Sequence, residues 1–356
     1  MAVEKVEVKN FTLFNHITVK PSKGVNVIIG ENGTGKTQLL RLIFSARCMR
    51  QNEMHDFVDD PSKKFAPCDY SFFQKSVVWG KADGLVFTRN FTDCTSEDEV
   101  SSVQIKTSGV PVADTPPYDP IISDKTSVIE MSTNMFFHPI MIPAKEMLSM
   151  SKLIFLPPAY RDSLALPDSL TEIIRTALNT VPATPPELAD RIAPKLEKAI
   201  QGKVFPREEP SGGISFWVKK NTGKEIPFEM ESEGYCKLGL LWKLIMNESI
   251  TKGTVLLWDE PEANINPNLA GELAEILLEL ARNGVQIFLA THDYVFAKYF
   301  EVLDTDNDSI KFHSLYKTEN GIACEEGSTF RDLKNNPIIS AFDVLMDEVI
   351  SKNMGD

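Results

Sequence analysis

The most constraining stretch of this chain is Gly30-Glu31-Asn32-Gly33-Thr34-Gly35-Lys36-Thr37, which satisfies G-x-x-x-x-G-K-[ST] at every fixed position. Val25-Asn26-Val27-Ile28-Ile29 leads into it without a charge, as a strand buried on both faces does. Leu39, Leu40, Leu42, Ile43 and Ala46 follow on one broad helical side. A strand, a glycine-rich turn and a helix in that order aim backbone N–H groups and the positive end of a helix at one point. Gly30, Gly33 and Gly35 permit the tight turn, Glu31, Asn32 and Thr34 complete it, and Gln38 follows it. The pattern predicts a site for a nucleotide's phosphates, with Lys36 reaching the β- and γ-phosphates and Thr37 offering its hydroxyl to Mg²⁺.

Composition narrows the setting. Of 356 residues, 42% are hydrophobic and 24% charged, an ordinary globular balance. No apolar run approaches the ~20 residues of a membrane helix, and the N-terminus, Met1-Ala2-Val3-Glu4-Lys5-Val6-Glu7, has no apolar signal core. Five cysteines, at 48, 68, 94, 236 and 324, form an odd, scattered set without a Cys-x-x-Cys pair. That argues against a disulfide framework or structural zinc and makes a reducing cytoplasm the simplest reading. A net charge of -13 repels nucleic acid at long range, so a nucleic-acid partner stays open without support from charge.

Along the chain, one strand is expected from Val6 to Phe14 and another from Val25 to Ile29. Residues 50–140 are rich in Asp, Ser, Thr and Pro, with β-like runs at Ser76–Trp79, Leu85–Thr88 and Val103–Lys106 and a turn-rich loop over Pro111–Pro120. Met135 to Ile142 is a further strand candidate. A helical region from about Ala144 to Lys203 is punctuated by proline pairs at 157–158 and 185–186. Gly213–Lys219 and Glu225–Glu229, with Asn221-Thr222-Gly223 between them, read as a hairpin. The last third predicts a helix over Lys237–Ser249, a strand over Val255–Trp258, a helix over Leu269–Arg282 and a strand over Val285–Ala290.

Three short segments complete the chemistry. Val255-Leu256-Leu257-Trp258-Asp259-Glu260-Pro261 is an apolar strand ending in two carboxylates. Asp259 at its tip can support Mg²⁺, and Glu260 can act as general base on the attacking water. Thr291-His292-Asp293 ends the next apolar strand, where His292 can contact a γ-phosphate or that water. Glu231-Ser232-Glu233-Gly234-Tyr235 precedes a helix. Ser232 can cap that helix, or present its hydroxyl and neighbouring N–H groups to another subunit's γ-phosphate.

This order of phosphate loop, Ser232-Glu233-Gly234, Leu257-Trp258-Asp259-Glu260-Pro261 and Thr291-His292 resembles the ATP-binding cassette ATPases, in particular their soluble SMC, RecF and OLD branch. The Ser-Glu-Gly, Asp-Glu-Pro-Glu-Ala-Asn and Thr-His-Asp elements are similar to bacterial AAA family ATPases of antiphage defence, such as the ATPase subunits of Septu (PtuA) and PARIS (AriA) and the ATPase half of OLD nucleases. The resemblance covers residues 1–50 and 135–320. It implies an α/β P-loop NTPase, an ABC-ATPase-like head with a mixed central sheet, a strand-rich insert and a helical lid. The implied division is core lobes at 1–50 and 205–356, an insert with a return strand at 51–143, and a lid at 144–204.

By that resemblance the cofactors are ATP and Mg²⁺, with the metal held by Thr37 and Asp259. Lys36, Glu260 and His292 would be catalytic. Asn10 and Phe11 would lie near adenine. The partner is a second copy across two ATP sites, with larger assemblies left open. Ser232, Glu233 and Gly234 would act in trans, and Ala263, Asn264 and Asn266 would form a loop communicating across the dimer. Transporters carry Asp where this chain has Asn266. The metal-sensing Gln expected after the 135–142 strand is absent from Pro143-Ala144-Lys145-Glu146, leaving Lys145 or Glu146 in its place.

The expected function is an ATP-binding and ATP-hydrolysing subunit of a cytoplasmic antiphage complex. An ATP-gated head-to-head dimer would control a separately encoded effector, a nuclease, with no membrane partner. The alternative is a RecF- or SMC-like DNA repair or recombination ATPase.

Overall fold

The computed structural model describes residues 3–11, 13–45, 85–90, 101–107, 127–133, 138–156, 168–210 and 212–354. The Ser76–Trp79 run, the Pro111–Pro120 loop, the Pro157–Pro158 pair and the first residues of the Met135–Ile142 strand lie outside them.

The chain opens with β1 (Val3–Phe11), β2 (Phe14–Val19) and β3 (Val25–Gly30), then α1 (Lys36–Ser45). β4 (Leu85–Asn90), β5 (Ser101–Thr107), β6 (Ser127–Thr133) and β7 (His138–Ile142) follow. After a 3₁₀ segment at Leu148–Phe155 come α2 (Asp168–Leu178) and α3 (Glu187–Ile200). Next are β8 (Gly202–Glu208), β9 (Ile214–Lys220), β10 (Glu225–Pro227) and α4 (Glu233–Met246). The last stretch holds β11 (Thr254–Asp259), α5 (Pro267–Arg282), β12 (Gln286–Thr291) and α6 (Tyr294–Val302). It ends with β13 (Ile310–Thr318), β14 (Gly321–Gly327) and α7 (Pro337–Met354).

The central sheet has the order β14-β13-β3-β12-β11-β7. Its strands run parallel except β14, which is antiparallel on β13. Alternation along each strand sorts side chains to two faces. Val25, Val27, Ile29, Leu256, Trp258, Ile287 and Leu289 join one apolar cluster with α3, α4 and α5. Ile28, Val255, Leu257, Phe288 and Ala290 join a second cluster with α1, β1 and β2. Burial on both faces is why these strands lack the polar alternation of a half-exposed sheet.

β1 lies in an antiparallel sheet ordered β2-β1-β6-β5-β4. The single strand expected over Val6–Phe14 is therefore corrected to a hairpin: β1 ends at Phe11, and Phe14 opens β2 in register with it. No Gly or Pro marks that turn in the sequence. Buried Gln286 ties the two sheets together, its side-chain oxygen accepting from Val3 N–H (2.9 Å) and its amide donating to Val3 C=O (2.9 Å).

The third sheet, β10-β9-β8, contains the expected hairpin and adds β8 at its edge. The helical region ends earlier than Lys203: Gln201 takes a left-handed backbone (φ 56°) and turns the chain from α3 into β8. The helix expected from Lys237 begins at Glu233 because Ser232 caps it, accepting from Tyr235 N–H at 3.4 Å.

α7 leaves Val344, Leu345, Met346, Val349, Ile350 and Met354 at least two-fifths exposed. Among the described residues no helix is long and apolar enough to cross a membrane. A mostly parallel sheet, flanked by helices and with its phosphate loop between β3 and α1, is the α/β fold of a P-loop NTPase.

Candidate nucleotide-binding and hydrolysis site

Three neighbouring strands of the central sheet point their C-terminal tips the same way: β3 into the phosphate loop, β11 into Asp259-Glu260 and β12 into Thr291-His292. In an open parallel sheet this edge is where ligands bind. In sequence Thr37 and Asp259 lie 222 positions apart, and the strand pairing brings them together.

The phosphate loop is held from below. Gly35 takes φ +89°, and a Cβ there would lie 2.6 Å from Phe14 Cζ, so the core ring fixes how closely the loop can sit. Thr34 donates its hydroxyl to Glu31 C=O at 2.9 Å. Lys36 is buried and donates to Gly30 C=O (2.7 Å) and Glu31 C=O (3.0 Å). Burial pushes its ammonium pKa down, while Glu260 and Asp259 pull it back up. Asn32 and Gly33 are exposed, and Gln38 is half-buried on the first turn of α1. Lys317 lies 3.6 Å from Glu31 at the rim.

Thr37 donates to Asp259 Oδ2 at 2.8 Å, placing the predicted metal pair in direct contact across the loop and β11. Burial raises the Asp259 carboxyl above its ordinary range, opposed by the Thr37 hydrogen bond. A hydroxyl and a carboxylate are hard oxygen donors, the chemistry Mg²⁺ requires, and the donor set therefore fits that ion.

Glu260 sits just past the strand tip with φ +45°, a left-handed conformation that non-glycine residues rarely adopt. Its N–H donates to Ala290 C=O at 2.8 Å, which ties it to β12. Its Oε1 lies 3.0 Å from His292 Nδ1, so the predicted base and the predicted γ-phosphate contact are paired. His292 is half exposed.

Beneath this pair, Thr291 donates to Glu262 Oε1 at 2.5 Å and receives Asp293 N–H at 2.9 Å. Asp293 then caps α6 through Phe296 N–H (2.6 Å). Desolvation pushes the Glu262 carboxyl up to about 7, with Asp293 adding to the rise and Thr291 and His292 opposing it. Glu262 and Thr291 were not singled out from sequence. The second acid of Asp-Glu-Pro-Glu was the available signal.

Ser232 is exposed at the start of α4, where it caps the helix. Asn264 donates to Glu233 Oε2 at 2.8 Å, and a Cβ on Gly234 would lie 2.7 Å from Asn264 C=O. Ala263 C=O accepts from Lys237 at 2.8 Å, and Asn266 caps α5 through Asn268 N–H at 3.0 Å. Within one chain, the segment expected to communicate across a dimer is thus bonded to the segment expected to act in trans.

Two expectations change. Phe11 is 3% exposed and packs in the core with Phe14 and α1, so its ring offers no face to a base. The side chain of Asn10 lies outside the described residues. Glu146, considered for the missing metal-sensing position, is buried with its carboxylate turned to Leu148 and Ser149 N–H groups. Its carboxylate thus takes up the first N–H groups of the 3₁₀ segment, which accounts for it without a metal. Lys145 is exposed beside it.

Comparison with known proteins agrees with this chemistry. Residues 136–297 match the family model described as "AAA domain, putative AbiEii toxin, Type IV TA system", and residues 1–106 match "AAA ATPase domain". Both matches are to descriptions of AAA-type ATPase domains. The L-cystine import ATP-binding protein TcyN of Bacillus subtilis is 43% identical over 44 residues, 12% of this chain and 17% of that protein. DNA replication and repair protein RecF of Pseudoalteromonas atlantica is 44% identical over 43 residues, 12% of each chain. The matches thus span less than a fifth of these curated relatives. The SMC head domain from Thermotoga maritima aligns over 92% of this chain and 100% of its own, with 12% identity and a TM-score of 0.46.

Proposed function

We propose that this chain is an ATP-binding and ATP-hydrolysing subunit, working as a head-to-head dimer that controls a separate effector, a nuclease, in an antiphage defence complex. The observation that carries the ATPase reading is the meeting of Thr37 with Asp259 and of Glu260 with His292 along one edge of the sheet. The dimer and the defence role rest on the resemblance of the ordered motifs. A net charge of -13 favours a protein effector over a nucleic-acid groove.

In this reading the loop N–H groups and the α1 terminus bind the triphosphate, with Lys36 neutralising it. Thr37 and Asp259 would hold Mg²⁺, which supplies charge neutralisation on the phosphates. Glu260 accepts a proton from water, and its backbone bond to Ala290 fixes where it does so. His292, 3.0 Å from Glu260, orients that carboxylate and can donate to the γ-phosphate. Ser232 and Gly234 reach the partner's nucleotide. A second reading, a DNA repair ATPase, is favoured by the local match to RecF.

The test is mass determination by light scattering, with and without ATP, on wild type and Glu260→Gln. The proposal expects an ATP-dependent dimer, most persistent in Glu260→Gln, and no digestion of DNA or RNA by the chain alone. Unchanged mass with ATP in both proteins refutes gating. ATP-dependent duplex binding that weakens steeply with salt supports the repair reading instead.

A further inference from the structure

Lys237 lies one turn into α4, in the apolar run Lys237-Leu238-Gly239-Leu240-Leu241-Trp242, and is 1% exposed. A buried ammonium has three donors, no acceptor and a desolvation cost, so its partners show what it is for. Lys237 Nζ donates to Glu260 C=O at 3.0 Å and to Ala263 C=O at 2.8 Å. Both carbonyls belong to the turn that carries the candidate base.

That turn is strained at each end. Glu260 has φ +45° and Asn264 φ +63°, and neither is glycine. Such residues persist only where the surroundings over-determine them. Lys237 closes the turn from inside, while Glu260 C=O also receives Ala263 N–H at 3.1 Å. From outside, Asn264 bonds Glu233, and Gly234 sits flush on Asn264 C=O. The first turn of α4 and the 260–264 turn are therefore tied together.

We propose that Lys237 is a positioning residue for Glu260, locking the 260–264 turn to the helix that begins at Ser232 and so coupling whatever Ser232 contacts to the geometry of hydrolysis in the same chain. The inference rests on the ATPase reading above. In a dimer, Ser232 touches the partner's nucleotide while Glu260 serves its own chain's, and Lys237 is the link by which one site senses the other.

The experiment uses full-length wild type, Lys237→Met and Lys237→Arg. It reads steady-state ATP hydrolysis, binding of a fluorescent ATP analogue, and hydrogen exchange of the peptide covering 259–266. Misplacing a base through its support costs up to about 100-fold, so Lys237→Met is expected to lower kcat about 30- to 100-fold. Analogue affinity should stay within about threefold, because ground-state binding is untouched. Exchange in 259–266 should rise, cooperativity in ATP should fall, and Lys237→Arg should restore most of kcat.

The proposal is overturned if Lys237→Met keeps kcat within about twofold, or loses analogue affinity in step with kcat. It is equally overturned if exchange in 259–266 does not change. Should Lys237→Met fail to fold, the exposed Asn264→Ala cuts the outer link, and the same pattern at smaller amplitude is expected. If wild type binds the analogue without hydrolysing ATP, the base assignment falls, while the exchange response, read without turnover, still decides the clamp.

Discussion

Glu262→Gln gives a prediction whose sign and size both come from the structure. The Glu262 carboxyl is raised from 4.5 to about 7, chiefly by desolvation. A carboxyl whose folded pKa lies above its unfolded value binds more protons when folded, so stability falls as pH rises from the unfolded toward the folded value. The penalty is about 1 kcal/mol at pH 5 and reaches about 3 kcal/mol at pH 8, at ~1.4 kcal/mol per pH unit. Glutamine keeps the oxygen that accepts from Thr291 Oγ1 and removes the charge. The variant should gain about 2 kcal/mol more over wild type at pH 8 than at pH 5, a few degrees in Tm for a chain of this size.

The assay is thermal unfolding of both proteins in EDTA, without nucleotide, at pH 5, 6, 7 and 8. Titrations of groups not coupled to Glu262 cancel in the difference at each pH. A variant-minus-wild-type difference that is flat across the range refutes the assignment. So does one that grows toward low pH.

Further outcomes follow from single residues. Lys36→Met should weaken binding of a fluorescent ATP analogue by 10-fold or more, on the order of one lost charge contact, with unchanged circular dichroism. Gly35→Ala should lower stability by about 1–3 kcal/mol, from φ +89° and the Phe14 contact, and abolish nucleotide binding as well. Ser232→Ala should cost about 1 kcal/mol as a lost helix cap. In denaturation that loss should appear without ATP, whereas any effect on dimer mass should appear only with it.

The central site was legible because its chemistry is local in sequence. Each of Gly30–Thr37, Asp259-Glu260 and Thr291-His292 adjoins an apolar run that the sheet buries on both faces. The hairpin at Phe11–Phe14 was not legible, since the apolar residues Phe11, Leu13 and Phe14 run on through a turn that has neither glycine nor proline. β13 and β14 mix polar and apolar residues because β14 forms an edge, so periodicity gave no strand there. Phe11 was placed near adenine by the family resemblance alone, and the register with Phe14 puts it in the core.

What the motifs left out is the set of side chains that hold the motifs in place. Lys237 was visible as a charge in an apolar helix, and its meaning depends on a turn 23 residues away. Glu262 was visible as an extra acid, and its meaning depends on Thr291 across the sheet. Both act on groups flanking the Glu260–His292 pair, Lys237 through the backbone carbonyl of Glu260 and Glu262 through the residue before His292. Their effects should therefore not add: near neighbours that share one strained turn couple by about 0.5–3 kcal/mol. A double variant, Lys237→Met with Glu262→Gln, should lose less kcat than the product of the single losses, because once the turn is released the second support has nothing left to hold. Multiplicative losses would mean that the two supports act on Glu260 independently.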